Sequence, residues 1–324
     1  MKNKHSQQLN EKDGGMYETN EPSTQKNGGM VELNNAAPTE NNRRQGVFFL
    51  LLSALCFSLM SLFVRLAGDL PTFQKAFFRN VIAAIVAFCL LAKSGNFKMH
   101  KGSLPALLAR SVVGLIGIVG NFYAIDRMSI SDASILNKLA PFFSVAFSGL
   151  ILKEKASWKD WVLIAVAFLG AVVIIRPTYG IEQSIPALVG VLGGLGAGLA
   201  YTFVRYLSQR GERGIFIVFF FSAFSSVAIL PLMVLEYQPM TGVQLCFLLL
   251  AGVAASGAQL CVTKAYSCAP AKDISVYDYS QVLFTALWGV LFLSPPQIPD
   301  FVSYIGYTII IGAAVVKYMV SRKH

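Results

Sequence analysis

From residue 46 to residue 320 the chain is a succession of apolar runs, each about 20 residues long and each ended by a short polar, glycine- or proline-rich stretch. About 20 residues is the length an α-helix needs to cross roughly 30 Å of hydrocarbon. Ten such spans are readable, over 46–67, 71–93, 103–125, 129–152, 159–176, 186–208, 214–236, 242–265, 272–294 and 300–320. Between them lie marks such as "AGDLP", "KSGNFKMHKGS", "KEKASWKD", "SQRGERG" and "SPPQIPD". Hydrophobic residues make up 55% of the chain and charged ones 14%, where soluble domains carry about a quarter charged. The fold class expected is an all-α integral membrane protein.

The net charge of +10 is not a nucleic-acid footprint. Residues 1–45 balance Lys2, Lys4, Lys12, Lys26, Arg43 and Arg44 against Glu11, Asp13, Glu18, Glu21, Glu32 and Glu40, so the excess lies after residue 45, mostly between the apolar runs. Alternate loops are basic, with Lys93, Lys98 and Lys101, then Lys153, Lys155 and Lys159, then Arg210 and Arg213, then Lys272. The positive-inside bias places those loops and both termini in the cytoplasm. Residues 1–45 have too few large apolar groups to offset ordering entropy and read as a disordered cytoplasmic tail, without the apolar core of a cleavable signal. Cys56, Cys89, Cys246, Cys261 and Cys268 lack metal spacing and read as packing residues. His5, His100 and His324 fall outside the spans, so no metal site or intramembrane histidine site is expected.

The tripeptide Phe-Val-Arg closes both the first span (Phe63, Val64, Arg65) and the sixth (Phe203, Val204, Arg205). The same alignment pairs Leu52, Leu55 and Leu59 with Leu192, Leu195 and Leu199; shifted by one, it pairs Ala124, Asp132 and Ser134 with Ala265, Asp273 and Ser275. The chain therefore reads as two homologous halves, 46–177 and 186–320. Each half holds five spans, an odd number, so the second enters the membrane from the opposite side and the repeats are inverted about an axis in the membrane plane. Arg65 and Arg205 are the same helix end seen from both faces, snorkelling at the interface.

Charges within a span cost roughly 2.5–3.5 kcal/mol each at the bilayer centre. Lys138 lies about 14 Å into its span at 1.5 Å per residue, and Asp278 is comparably deep in the ninth. The repeat alignment matches Asn137 to Asp278 and Lys138 to Tyr279. Asn137, Pro141, Ser144 and Ser148 form one helical stripe, answered by Asp278, Val282, Thr285 and Gly289. These stripes are expected to line a central cavity with Lys138 and Asp278 as its principal charges, joined by Tyr279 and Gln281; a fixed ion pair that locks the bundle is the alternative. Arg79 in the second span suits an anionic substrate group or a structural partner. Asn121, Tyr123, Gln259, Lys264 and Tyr266 are further lining candidates or helix–helix contacts. Asp132 and Asp273 suit helix N-termini. Gly190, Gly194 and Gly198 fall on one face and permit close helix approach, while Pro141 and Pro231 can kink their helices.

The stretch "NFYAIDRMSISDASILNKLAPFFSVAFSGLILKEKASWKDWVLIAVAFLGAVVIIRP", residues 121–177, resembles the EamA-like ten-span transporters of the drug/metabolite transporter superfamily. It carries that family's Asp132-Ala133 pair opening the fourth span, a proline within it (Pro141), an acidic residue just past it (Glu154) and an arginine in the second span (Arg79). The second half has no glutamate answering Glu154 and no arginine answering Arg79. The resemblance covers residues 46–320. It implies a secondary permease or exporter that moves a small metabolite, amino-acid-like or drug-like, by alternating access. Its partners would be the lipid bilayer and a second copy in a homodimer, with no cofactor and no nucleic acid. Its place would be the bacterial inner or plasma membrane. No Walker-type, H-E-x-x-H or G-x-S-x-G pattern occurs, which disfavours the alternative of a polytopic enzyme; a channel or interaction protein is the other alternative.

Overall fold

The computed structural model describes residues 40–95, 97–152, 157–175, 181–269 and 274–322. Residues 1–39, Lys153, Glu154, Lys155, Arg176, Lys272, Asp273 and the side chain of Ser275 lie outside that description. The described chain is helical: α1 (Glu40–Leu66), α2 (Thr72–Ser94), α3 (Leu104–Arg127), α4 (Ile130–Asn137), α5 (Ala140–Ile151), α6 (Trp158–Ile175), α7 (Ile181–Gln209), α8 (Gly214–Leu235) and α9 (Gly242–Cys268). A 3₁₀ turn (Ser275–Tyr279) then leads into α10 (Ser280–Phe292), and α11 (Phe301–Arg322) ends the fold. Eight segments are long and apolar enough to cross a membrane, α4 and α5 together being one of them. The shorter apolar α6 and the Ser275–Phe292 segment bring the set to the ten expected.

The clearest departures from the sequence reading are at the start of the first helix and within the fourth and ninth spans. Helix α1 starts at Glu40 rather than 46, with Arg44 Nε on Glu40 Oε1 at 3.3 Å across one exposed turn, so residues 40–45 are helical. The fourth and ninth spans are not continuous helices, and both break at the same place in the repeat. Had the fourth span continued, the ring of Pro141 would clash with the carbonyl of residue 137 and remove a backbone bond. As one of the first residues of α5 it needs no intrahelical partner. The Lys138 N–H turns back to Ser134 O and Ile135 O at 3.1 and 3.0 Å, which closes α4. In the ninth span the Ser280 hydroxyl donates to Tyr277 O at 2.7 Å, a local bond that competes with helix continuation.

Packing repeats across the halves. Helix α1 packs on α9 as α7 packs on α3; α5 lies on α7 as α10 lies on α1; α2 meets α9 as α8 meets α3. The pairs α2–α8, α6–α11 and α4–α10 map onto themselves. Loops alternate between two ends. At one end Gln74 exchanges bonds with Gln238, Gln244 Nε2 donates to Ala67 O, and Ile130 N donates to Gln297 Oε1. At the other, His100 N donates to Glu212 Oε1, and the Ser208 and Ser267 hydroxyls meet. Arg65 does more than snorkel: its Nη1 donates to Ile125 O and Asp126 O, both at 2.8 Å, and satisfies the carbonyls that end α3. Ser129 is the N-cap of α4; its hydroxyl accepts from Asp132 N and donates to Asp132 Oδ2, while Tyr307 donates to Asp132 Oδ1.

Helix α7 holds the centre because it lacks side chains on two faces. A Cβ on Gly190 would touch Ala124 and Leu136, on Gly194 it would sit 2.9 Å from Leu136 O, and on Gly198 2.5 Å from Ala140 O. On the adjoining face, Gly193 and Gly196 lie against Gly117, Gly120 and Val113 of α3. Such backbone-on-backbone packing supplies dispersion contact in lipid, where the hydrophobic effect does not drive association. Gly198→Ala should cost roughly 1–3 kcal/mol by overpacking and lower the detergent melting temperature. Gly312→Ala, with open space around its Cβ, should leave it unchanged or slightly higher.

Candidate substrate cavity

The two breaks face each other. Lys138 Nζ donates to Asp278 Oδ2 at 2.7 Å, with side chains only 6% and 3% exposed. Tyr279, immediately after the aspartate, donates its hydroxyl to Lys138 O at 2.8 Å. The second half thus supplies a carboxylate for the lysine's head and a hydroxyl for its carbonyl, which the end of α4 leaves without an intrahelical partner. One member alone in this setting would be an uncompensated buried charge.

A cavity opens beside this pair, lined by both breaks and by α1, α2, α3, α7, α8 and α9. Of the residues expected from sequence, Lys138, Asp278, Asn137, Arg79, Gln281, Asn121 and Gln259 line it. Four do not. Tyr279 is buried behind the ion pair. Tyr266 is buried and stacks on Tyr201 with ring centroids 5.0 Å apart. Tyr123 lies under the Arg127 guanidinium, 3.8 Å from the ring centroid, toward the end of α3. Lys264 is exposed on the outer side of α9, off the stripe of Gln259, Val262, Thr263 and Tyr266 that this helix buries.

The stripes also divide differently from expectation. Beyond the breaks, Ser144 meets Thr202 of α7 at 3.2 Å and Ser148 bonds back to Ser144 O. Thr285 bonds to Gln281 O, and Gly289 packs against Gln297. Pro141, Ser144, Ser148, Val282, Thr285 and Gly289 are therefore packing residues, and only the turn at each break reaches the cavity.

The cavity adds residues that sequence reading did not single out: Arg110, Tyr201, Phe221 and Phe57. Arg110 lies six residues into α3, and the cost of a charge inside a span, which pointed to Arg79 and Lys138, points to it equally. Its guanidinium stacks over the Phe221 ring at 3.5 Å from the centroid. Arg79, 2% exposed, donates to Asn80 Oδ1 at 2.6 Å and Gln259 Oε1 at 3.4 Å. Among the described residues no group of His, Cys, Asp and Glu is placed to hold a metal ion.

Ten apolar spans, two of them broken at matching repeat positions beside an internal cavity, are the architecture of a helical membrane protein. The chain belongs to the EamA-like transporter family, whose model matches it twice, over residues 44–176 and 184–319. It is similar to a pseudopaline exporter of Pseudomonas aeruginosa, 34% identical over 84% of this chain and 95% of that one. It is also similar to human solute carrier family 35 member G1, 28% identical over 86% and 81% of the two chains. An S-adenosylmethionine uptake transporter of Rickettsia felis is 24% identical over 86% and 96%. A solved crystal structure, 16% identical, superposes with a TM-score of 0.64 over 86% of this chain and 98% of that one, which speaks to the fold alone. The protein is a secondary transporter of a small molecule in the lipid bilayer, not an enzyme.

Removing only the Tyr279 hydroxyl tests the bond at the break. Tyr279→Phe should cost about 1–3 kcal/mol by leaving Lys138 O buried without its donor, read as a lower melting temperature. The exposed Tyr237→Phe should melt like the parent.

Proposed function

We propose that this transporter works by alternating access, with its substrate held in the cavity between the two halves and with the Lys138–Asp278 pair as the contact that couples them. The observation that carries this reading is the facing of two broken helices at equivalent repeat positions, joined by one buried ion pair at 2.7 Å. Transporters with inverted repeats place substrate at such breaks, where half-helix ends and freed backbone groups replace the substrate's hydration. An interior of paired helices related by a two-fold axis has two equivalent arrangements, one opening toward each side. Rocking one half on the other interchanges them.

The orientation belongs to the same reading. Lys93, Lys98, Lys101, Arg210 and Arg213 gather at the end of the bundle where His100 meets Glu212, and the positive-inside bias makes that end cytoplasmic. Both termini are then cytoplasmic in a bacterial inner or plasma membrane. The relatives include one named for export and one named for uptake, and a rocking scaffold runs in either direction according to the gradient.

The test is flux through purified protein in liposomes. A solute that stabilises the protein should show saturable uptake accelerated by the same solute preloaded inside, and Lys138→Ala should lose at least about 90% of that flux at equal reconstitution. Uptake that stays linear with concentration and insensitive to preloading would identify a channel and overturn the proposal.

A further inference from the structure

The cavity holds more positive charge than its own residues neutralise. Arg79, Arg110 and Lys138 line it against one carboxylate, Asp278. Lys138 and Asp278 bind each other, which leaves the two arginines. Arg79 donates to two neutral amides, Asn80 and Gln259, and its Nε has no protein acceptor among the described residues. Arg110 Nε and Nη1 likewise have none, although the residue is 2% exposed.

The two guanidiniums are also brought together. Both lie over Phe221, at 3.5 Å from its centroid for Arg110 and 5.7 Å for Arg79. The room for Arg110 comes from Gly114, where a Cβ would stand 2.8 Å from Arg110 Nη1 and 2.9 Å from the Phe221 ring. An arginine side chain does not deprotonate in proteins, and like charges repel strongly where the dielectric is low. Stacking on a ring offsets part of this, and both residues, each carrying a planar N–H fork, line the cavity. Such forks match carboxylate and phosphate oxygens. The amides of Asn121, Asn137 and Gln281 complete a polar wall.

We propose that the substrate is a small organic dianion whose negative groups are taken by Arg79 and Arg110, while the Lys138–Asp278 pair remains closed. The charge count sets the number: three cations less one carboxylate leaves two positive charges for the substrate to balance. This rests on the cavity being the transport site. Phe221 then acts as the platform that fixes both forks, and cationic solutes are excluded by the surplus.

Thermal unfolding of the full-length protein in detergent tests the charge preference with small probes, the four-carbon succinate, butyrate and putrescine and the three-carbon glycerol 3-phosphate. Succinate and, as the phosphate arm, glycerol 3-phosphate should raise the melting temperature in a saturable way, while butyrate and putrescine should not. A response to succinate alone assigns carboxylates, and to glycerol 3-phosphate alone assigns a phosphate; either supports the dianion. In Arg110→Gln and Arg79→Gln the apparent affinity for the active dianion should weaken by about tenfold or more, while the ligand-free melting temperature stays level or rises. A larger response to putrescine or butyrate, or none to either dianion, overturns the proposal. So does a lower ligand-free melting temperature with ligand affinity kept, which would make the arginines structural. Counterflow on the same preparations separates the two readings: a dianion that binds without flux contradicts transport and leaves the charge assignment standing, whereas carrier-type flux of a cation does the reverse.

Discussion

A lysine and an aspartate on opposite halves of the chain, in contact at 2.7 Å and almost sealed from solvent, fix how those halves meet. Either charge alone at the bilayer centre would cost roughly 2.5–3.5 kcal/mol. Each is delivered by a helix break, because only where the helical ladder stops can the chain turn a short segment toward the centre without losing backbone bonds on the lipid side. Tyr279 then closes the lysine carbonyl that the break exposes. The pair therefore constrains two backbones as well as two side chains, and the cavity takes its floor from them.

The rest of the bundle holds those breaks in register. Helix α7 approaches the fourth span through Gly190, Gly194 and Gly198 and approaches α3 through Gly193 and Gly196. That second contact positions the α3 face bearing Arg110, Gly114, Gly117 and Asn121. Because α1 and α9 pair as α7 and α3 do, Gln259 reaches the cavity from the equivalent helix of the other half. The interior is symmetric in backbone and asymmetric in charge: both cavity arginines, neither paired with a carboxylate, come from the first half.

What hydrocarbon demands was readable in the residues. The spans follow from run length, the inverted halves from the doubled Phe-Val-Arg and an odd span count, and the close approach of α7 from its glycine spacing. Lys138 and Asp278 were legible because a charge at mid-span needs a reason. The breaks were not, since the hydropathy of 129–152 runs on through residue 138 and Pro141 reads equally as a kink or as a helix start. The stripes extrapolated past those breaks on a helical period that the chain does not keep, so Ser144, Ser148 and Thr285 fell among packing residues. Lys264 was drawn in by its type, although it lies off the face that Gln259 and Tyr266 share. Arg110 was missed despite carrying the same signal as Arg79.

The most direct measurement is a double-mutant cycle of Lys138→Ala, Asp278→Ala and the two together, followed by reversible unfolding in detergent. Each single change should cost about 3–5 kcal/mol by stranding a buried charge, and the double variant should cost far less than their sum. Costs that simply add would mean that the two side chains do not share one interaction, and the junction between the halves would have to be sought elsewhere.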